Sequence, residues 1–200
     1  MGGVIDVATA IELLSNGGVV ALPTDTVYGV AASIRDPDAV AKLFELKRRP
    51  TSVPLPVLVD SLKQVTRLGV AWPEEARVLA EAFWPGALTV VVHVPHELAL
   101  RVGSPTDSAG FRIPDDVILR GIIDCVGPLA VSSANSHGAA PCTTAAHVLE
   151  VLGDRPQFEG VVDDGERSGD PSTVVDLSKG AWHLIREGPI GERLLKSLLG

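Results

Sequence analysis

Three cations stand side by side at Lys47, Arg48 and Arg49, just before a segment kept extended by prolines at 50–56. Adjacent positive charges repel one another, and each proline lacks a backbone N–H donor. A binding site for a polyanion would justify both features. The last turn of a helix would justify only the cations, because cations there complement the helix dipole. The three residues alone do not decide between these interpretations.

Polar side chains also occur where three predicted strands end. They are Thr24, Asp25 and Thr26 after the first strand, Ser132, Ser133 and Asn135 after the second, and Arg112 in the third. In open α/β sheets, ligands collect at the carboxyl ends of strands, where loops present hydroxyls and backbone donors. Thr, Asp, Ser and Asn are also common turn and N-cap residues, so one such loop alone is more often structural.

Other chemistries have little support in the sequence. The five histidines and two cysteines show no metal-ligand spacing, which makes a structural zinc site improbable. Ser133 is not in a G-x-S-x-G turn, and neither glycine-rich nucleotide-binding motif occurs. His137 is a lone loop histidine and receives no catalytic role. A bound nucleotide would therefore be held in neither of the standard ways.

Composition limits the function classes further. The 200 residues carry a net charge of −8 with 46% hydrophobic residues, which indicates one globular domain spanning residues 1–200. The acidic balance disfavours a nonspecific nucleic-acid coat but allows a local anion pocket. Cys125 and Cys142 predict two free thiols in a reducing compartment. Because no signal peptide or apolar membrane span is evident, we expect a cytoplasmic protein that does not enter membranes.

Helices and strands alternate along the whole chain. Apolar periodicity predicts helices at 6–18, 36–48, 73–83, 115–126, 143–153 and 191–199. Buried or alternating runs predict strands at 18–23, 55–60, 87–94, 109–114, 128–133, 172–177 and 181–187. This pattern predicts an α/β (α+β) fold with a mixed sheet flanked by helices. The polar segment 163–172 is predicted to be a loop and the most mobile part of the chain.

Six motifs in order resemble the YrdC-like family, the threonylcarbamoyl-AMP synthases, from about residue 10 to residue 190. They are PTDTVYGVAA, the K-x-R-x-x-x-x-P pattern of Lys47, Arg49 and Pro54, FWPGALTVVV, FRIP, VSSAN, and STVVDL followed by LIREG. The resemblance implies a twisted mixed sheet with a concave, positively charged cavity. The short chain is similar to the single-domain form of the family.

The resemblance also implies a reaction. L-threonine, bicarbonate and ATP would give threonylcarbamoyl-adenylate and pyrophosphate, with Mg²⁺ carried by ATP and no metal site made by the protein. A downstream tRNA threonylcarbamoyl transferase would then modify an adenosine beside the anticodon of certain tRNAs. Charge that builds on the phosphoryl oxygens must be met by fixed cations, which agrees with a cluster of Lys and Arg.

Residue roles follow from the matched motifs. Lys47 and Arg49 would face the ATP phosphates as catalytic groups, whereas Arg48 would face solvent. Threonine contacts would come from Thr26, Arg112 and Ser172, and further ATP contacts from Ser133, Asn135 and Arg186. No general base is evident, which fits a mechanism that depends on positioning and charge.

Two positions depart from the family pattern. Val53 and Leu58 stand where family members often have Asn and His, both polar contacts in the family. The competing interpretations are an RNA-binding module without catalysis, with weak RNA affinity, and a carbamoyl-transfer domain that uses carbamoyl phosphate. Neither is removed by the sequence, although the net charge of −8 counts against RNA binding as the main role.

Overall fold

The computed structural model describes residues 2–50, 52–136 and 138–200, so His137 lies outside the described residues. The helices there are α1 (Val7–Ser15), α2 (Pro37–Lys47), α3 (Leu62–Arg67), α4 (Glu74–Phe83), α5 (His96–Arg101), α6 (Val117–Val126), α7 (Ala145–Leu152) and α8 (Glu192–Leu199). The strands are β1 (Gly3–Ile5), β2 (Val20–Leu22), β3 (Gly29–Ser33), β4 (Val57–Leu58), β5 (Leu88–His93), β6 (Ser108–Arg112), β7 (Leu129–Ser133), β8 (Gly160–Val162), β9 (Thr173–Asp176) and β10 (His183–Arg186). Within these residues, no helix is both long and apolar enough to cross a membrane.

All ten strands join in one mixed sheet, in the order β1-β8-β2-β3-β7-β4-β6-β5-β9-β10. Parallel pairs are β1 with β8, β8 with β2, β4 with β6 and β5 with β9. The remaining pairs are antiparallel, including the late pair β9 and β10. The prediction of a mixed α/β sheet flanked by helices is therefore confirmed.

The two faces of the sheet are covered differently. One face packs against residues of α2, α4, α5 and α7 in a core that extends from β2 to β9. The opposite face packs against α1 and α6, but its apolar cluster takes strand residues only from β2, β3, β4, β7 and β8. On this second face, none of the described helices packs over the half of the sheet formed by β6, β5, β9 and β10.

Several elements were missed or overextended in the sequence prediction. The helices α3 and α5 have six residues each, and β1 and β8 have three, so each is too short for a repeating apolar pattern to be recognised. The strand β3 consists of Gly, Val, Ala and Ser, most of which have weak strand preference. The strand predicted at 55–60 has only two ladder residues, Val57 and Leu58. Pro54 and Pro56 lack the N–H groups that would extend it.

Helix α2 delivers the cation cluster. Asp36 caps its first turn by accepting two backbone N–H bonds at 2.9 and 3.2 Å, with Pro37 at the first helical position. The helix ends at Arg48, whose backbone is left-handed at φ 46° and ψ 36°. This turn leaves Arg48 exposed, as the sequence predicts, and Lys47 and Arg49 half-buried on either side of it.

Candidate active site

A cavity of about 160 Å³ lies at the boundary between the half of the sheet that α1 and α6 cover and the uncovered half; we call it the first cavity. Six of the eight site residues proposed from the sequence line it, namely Thr26, Arg49, Arg112, Ser133, Ser172 and Arg186. Its remaining wall includes Pro56, Leu58, Thr89 and Val131. Residues more than 100 positions apart in the chain are thus brought into one concave site.

The loop after β2 forms one wall of the first cavity. Thr24 and Thr26 are both buried, and their hydroxyl oxygens lie 2.9 Å apart. The hydroxyl of Thr24 also accepts the backbone N–H groups of Thr26 and Val27, at 3.0 and 3.1 Å. This local turn fixes the Thr26 side chain at the cavity wall.

Arg112 connects three parts of the site from the end of β6. Its side chain is only 6% exposed and donates to a carboxylate oxygen of Asp25 at 2.6 Å. Two further bonds run to the hydroxyl of Thr26 at 3.0 Å and to the carbonyl of Gly86 at 2.9 Å. Burial lowers the pKa of Arg112, while the Asp25 carboxylate acts in the opposite direction. Arg112 thus holds the Thr26 loop in place as well as lining the cavity.

Arg49 is oriented by the proline-rich segment that follows it. Its guanidinium donates to the backbone carbonyls of Val53 at 2.9 Å and Pro54 at 2.8 Å. The prolines of this extended segment lack backbone N–H donors, but the carbonyls of the segment are the acceptors that orient the Arg49 guanidinium towards the cavity. Val53 contributes through its carbonyl, whereas its side chain is exposed.

Arg186 on β10 is held in a similar way. It donates twice to the carbonyl of Ser172, at 2.8 and 3.0 Å, and once to the Ser172 hydroxyl at 3.2 Å. That hydroxyl also lies 3.0 Å from the hydroxyl of Thr89. Burial lowers the pKa of Arg186, and the charge of Arg112 lowers it further.

A second cavity of about 340 Å³ adjoins the first on the same face of the sheet. The residues that line both are Arg49, Pro56, Thr89, Ser172 and Arg186. Gly110 forms part of the second cavity's floor, where a β-carbon would lie 2.9 Å from a methyl group of Thr89. Arg49 and Arg186 therefore stand at the junction of two adjoining cavities.

Lys47 and Asn135 line a third cavity, of about 230 Å³, which shares no lining residue with the first two. The Lys47 ammonium group donates to the backbone carbonyl of Asn135. Burial lowers the pKa of Lys47 to about 8, with a smaller lowering from Arg49 and an opposing effect from Cys142. The side-chain amide of Asn135 donates to two backbone carbonyls, while its own Oδ1 is buried and has no partner among the described residues.

Some wall residues were not identified from the sequence. Thr89 is the one hydroxyl in an otherwise apolar stretch of β5, and Gly110 lies across the ladder from Val91. A single threonine or glycine in a strand is too common to indicate a site. Leu58 lines the first cavity and also belongs to the apolar cluster under α6, so its side chain is 4% exposed.

The described residues contain no group of three or more His, Cys, Asp or Glu side chains that could hold a metal ion. Asp25, between the lining residues Thr24 and Thr26, does not itself line the first cavity and is paired with Arg112. The walls offer cations and hydroxyls, which suit an anionic ligand. Neither cysteine forms a disulfide: Cys125 is exposed and Cys142 is buried.

Comparison with known proteins agrees with this geometry. A family model of the Sua5, YciO and YrdC proteins, described as "Telomere recombination", matches residues 12–188. The chain belongs to the Sua5/YciO/YrdC family. It is 36% identical over 197 residues to the threonylcarbamoyl-AMP synthase of Bacillus subtilis and 31% identical over 187 residues to that of Vibrio campbellii.

The coverage of these family members differs. The match includes 97% of this chain but only 56% of the Bacillus subtilis protein, so the chain spans little more than half of that relative. For the Vibrio campbellii protein the shares are 89% and 96%. Among solved structures, Sua5 of Pyrococcus abyssi complexed with L-threonine is 34% identical with a TM-score of 0.88, covering 100% of this chain and 60% of that one.

The lowered pKa of Lys47 predicts a pH-dependent stability. Between pH 8 and about 10.5, the folded chain has lost the Lys47 proton while the unfolded chain still holds it, so the free energy of unfolding should rise with pH. Urea unfolding from pH 7 to pH 10 should show this rise in the wild type relative to Lys47→Met, which cannot titrate. Lys47→Arg, which stays charged, should also lack it. Parallel profiles for all three proteins would contradict the assignment.

Proposed function

We propose that this chain is an L-threonylcarbamoyladenylate synthase, a nucleotidyltransferase that uses L-threonine, bicarbonate and ATP. The observation that carries the proposal is the junction of the first and second cavities, where Arg49 and Arg186 are aimed by backbone carbonyls. Two relatives are named for the same activity, and a third was crystallised with L-threonine. Because the chain spans only part of some relatives, the complete reaction needs its own test.

The first step joins threonine to bicarbonate. The threonine amine forms a bond to the carbon of bicarbonate or of the carbon dioxide derived from it, with loss of water, and gives a carbamate. We place the amino acid in the first cavity, whose volume of about 160 Å³ suits a small substrate. There Thr26 and Ser172 present hydroxyls, and Arg112 offers the guanidinium donors that Asp25, Thr26 and Gly86 do not use.

The second step forms the adenylate. A carbamate oxygen forms a bond to the α-phosphorus of ATP, and pyrophosphate leaves with the electron pair of the broken P–O bond. Negative charge on the phosphoryl oxygens is stabilised by fixed cations that need no reorganisation. Arg49 and Arg186 lie at the cavity junction for this role, and Lys47, two residues before Arg49, lines the third cavity. An arginine offers phosphoryl oxygens a planar fork of donors, whereas Lys47 offers a point charge.

The nucleotide would extend towards the end of β7. Ser133 is exposed there and lines the first cavity, and Asn135 follows it with a buried, unpartnered Oδ1. A bound nucleotide gives this oxygen a donor. We propose that the ATP phosphates hold Mg²⁺. When bound, the metal neutralises phosphate charge and orients the leaving group.

The product is a reactive mixed anhydride, and an acceptor must receive its threonylcarbamoyl group. We infer that a downstream tRNA threonylcarbamoyl transferase is the partner. With a net charge of −8, this chain suits a small anionic ligand in a local pocket better than a long RNA backbone. Any RNA affinity is therefore expected to be weak and salt-dependent.

The deciding experiment measures pyrophosphate release from ATP and Mg²⁺ with each substrate omitted in turn. Adenylate formation should require both L-threonine and bicarbonate. Turnover with carbamoyl phosphate in place of these two would show a carbamoyl-transfer domain. Salt-dependent RNA binding without any turnover would show a binding module, and either result would overturn the proposal.

The cation cluster provides a matched pair of variants. Arg49→Ala removes a fixed positive charge from the transition state and should lower the rate by about 10²-fold or more. Arg48→Ala removes an adjacent but exposed charge, which is worth at most about 1 kcal/mol. Single-turnover rates at saturating ATP should separate the two variants. Equal damage from both would mean that the cluster acts as a charged surface and not as a site.

Leu58 tests the amino-acid end of the site. Leu58→His should leave threonine affinity equal or up to about tenfold tighter, the value of one hydrogen bond of 0.5–1.5 kcal/mol. Leu58→Asp should abolish binding by repelling the substrate carboxylate. Asn has nearly the same shape as Asp but no charge, so Leu58→Asn controls for disruption of the apolar cluster. The measurement is calorimetric titration of L-threonine, with ATP present, into variants shown to be folded. Equal threonine affinity in Leu58→Asp and Leu58→Asn would place Leu58 outside the site.

A further inference from the structure

Residues 163–172, between β8 and β9, form a segment that we call the strap. The strap passes the Thr26 loop and ends at Pro171 and Ser172, both of which line the first cavity. The sequence predicts a polar loop here, and the structure shows this loop bonded to the rest of the protein at several points. Its attachments connect it with the residues proposed to bind threonine.

The beginning of the strap is attached to Tyr28, two residues after Thr26. The side chain of Tyr28 is fully buried. Its hydroxyl donates to the carbonyl of Gly165 at 2.8 Å and accepts the backbone N–H of Asp164 at 3.2 Å. A buried hydroxyl with both bonds satisfied holds this end of the strap in one position.

The middle of the strap is bonded to Thr26 itself. The backbone N–H of Gly169 donates to the Thr26 carbonyl at 3.1 Å, and the hydroxyl of Ser168 donates to the same oxygen at 3.3 Å. The Thr26 hydroxyl faces Thr24 and Arg112. Thr26 is therefore held by the strap through its main chain and by the cavity wall through its side chain.

Arg167 links the strap to a neighbouring helix by charge. Its guanidinium donates to Asp116 at 3.3 Å and to Asp164 at 2.6 Å, and its backbone N–H donates to the carbonyl of Thr143 at 2.9 Å. Its side chain is 16% exposed and that of Asp116 is 7% exposed. Asp116 also caps α6 by accepting the N–H of Leu119 at 2.8 Å.

The strap is acidic, and Arg167 is its one positive charge. The strap carries four carboxylates and one cation, which is Arg167. Without Arg167, the buried Asp116 would lose the ion-pair partner that it has among the described residues. Removing one partner of a buried pair is strongly destabilising for the closed arrangement, because the remaining charge stays desolvated.

We propose that Arg167 is a positioning residue, and that its ion pair with Asp116 and Asp164 keeps the strap closed so that Thr26 and Ser172 are set for threonine. The inference rests on the proposed function for its substrate. Arg167 acts through the strap and not by touching the substrate. If the pair is broken, the strap opens part of the time, and threonine binding must close it again.

This linkage predicts a specific kinetic pattern. Arg167→Ala should raise KM for L-threonine about tenfold, the factor expected when the strap is closed about one tenth of the time. The kcat at saturating threonine should change little, because bound threonine restores the closed strap. A merely structural loss would lower the active fraction, and hence kcat, without moving KM.

Matched variants isolate the ion pair. Asp116→Asn removes the charge but keeps an oxygen that can cap α6, and it should raise KM like Arg167→Ala, with the double variant no worse than either. Arg167→Lys should recover part of the effect. Arg77→Ala is the control, because Arg77 also lies between two carboxylates, Glu74 and Glu81, but in an exposed position on α4.

Hydrogen exchange of the strap amides gives a readout that does not depend on activity. Exchange at Gly169 should be faster in Arg167→Ala and Asp116→Asn than in wild type, and L-threonine should slow it again. Unchanged exchange and unchanged KM in both variants would overturn the proposal. A wild-type chain that binds no threonine would overturn the proposed function and the threonine linkage together, while the exchange rates would still decide whether the ion pair closes the strap.

Discussion

The site depends on the buried guanidinium of Arg112. Removing an arginine from water is unfavourable unless its donors find good acceptors. Here they bond to Asp25 and Thr26 in the loop after β2 and to Gly86 in the turn before β5. The ion pair therefore brings β6, the loop after β2 and the turn before β5 together. Thr26 in turn accepts bonds from the strap, so the first cavity has its shape only while this group of contacts is intact.

The other site cations retain their positive charge. Arg49, Arg186 and Lys47 all donate to backbone carbonyls, and none forms an ion pair with a described residue. A carbonyl fixes the direction of a donor but does not cancel its charge. A chain of net charge −8 can thus present a local positive field to an anion. Burial lowers the pKa of each of these groups, so an anionic ligand beside them would stabilise their charged forms.

The sequence alone predicted the mixed sheet and most of the helices, because their apolar periodicity is strong. It could not predict β3, because that strand is buried between two others and consists mostly of small residues with weak strand preference. It could not predict β8 because that strand is only three residues long. The separation of Lys47 from Arg49 into different cavities was also not predictable. It arises from the left-handed backbone of Arg48, which turns the chain between the two cations. The carbonyl acceptors of Arg49 depend on the path of the backbone and have no side-chain signal.

The position of the site follows from how the sheet is covered. Ten strands present more surface than α1 and α6 cover on the second face, and the half that includes β5, β6 and β9 lines the first and second cavities. On that half, alternation places polar or small residues such as Thr89, Gly110 and Ser172 opposite the apolar residues that fill the other core. A sheet face that lines cavities in this way can take up a ligand without opening the core. The fold therefore provides the concave surface, and a few arginines held by main-chain carbonyls give it positive charge.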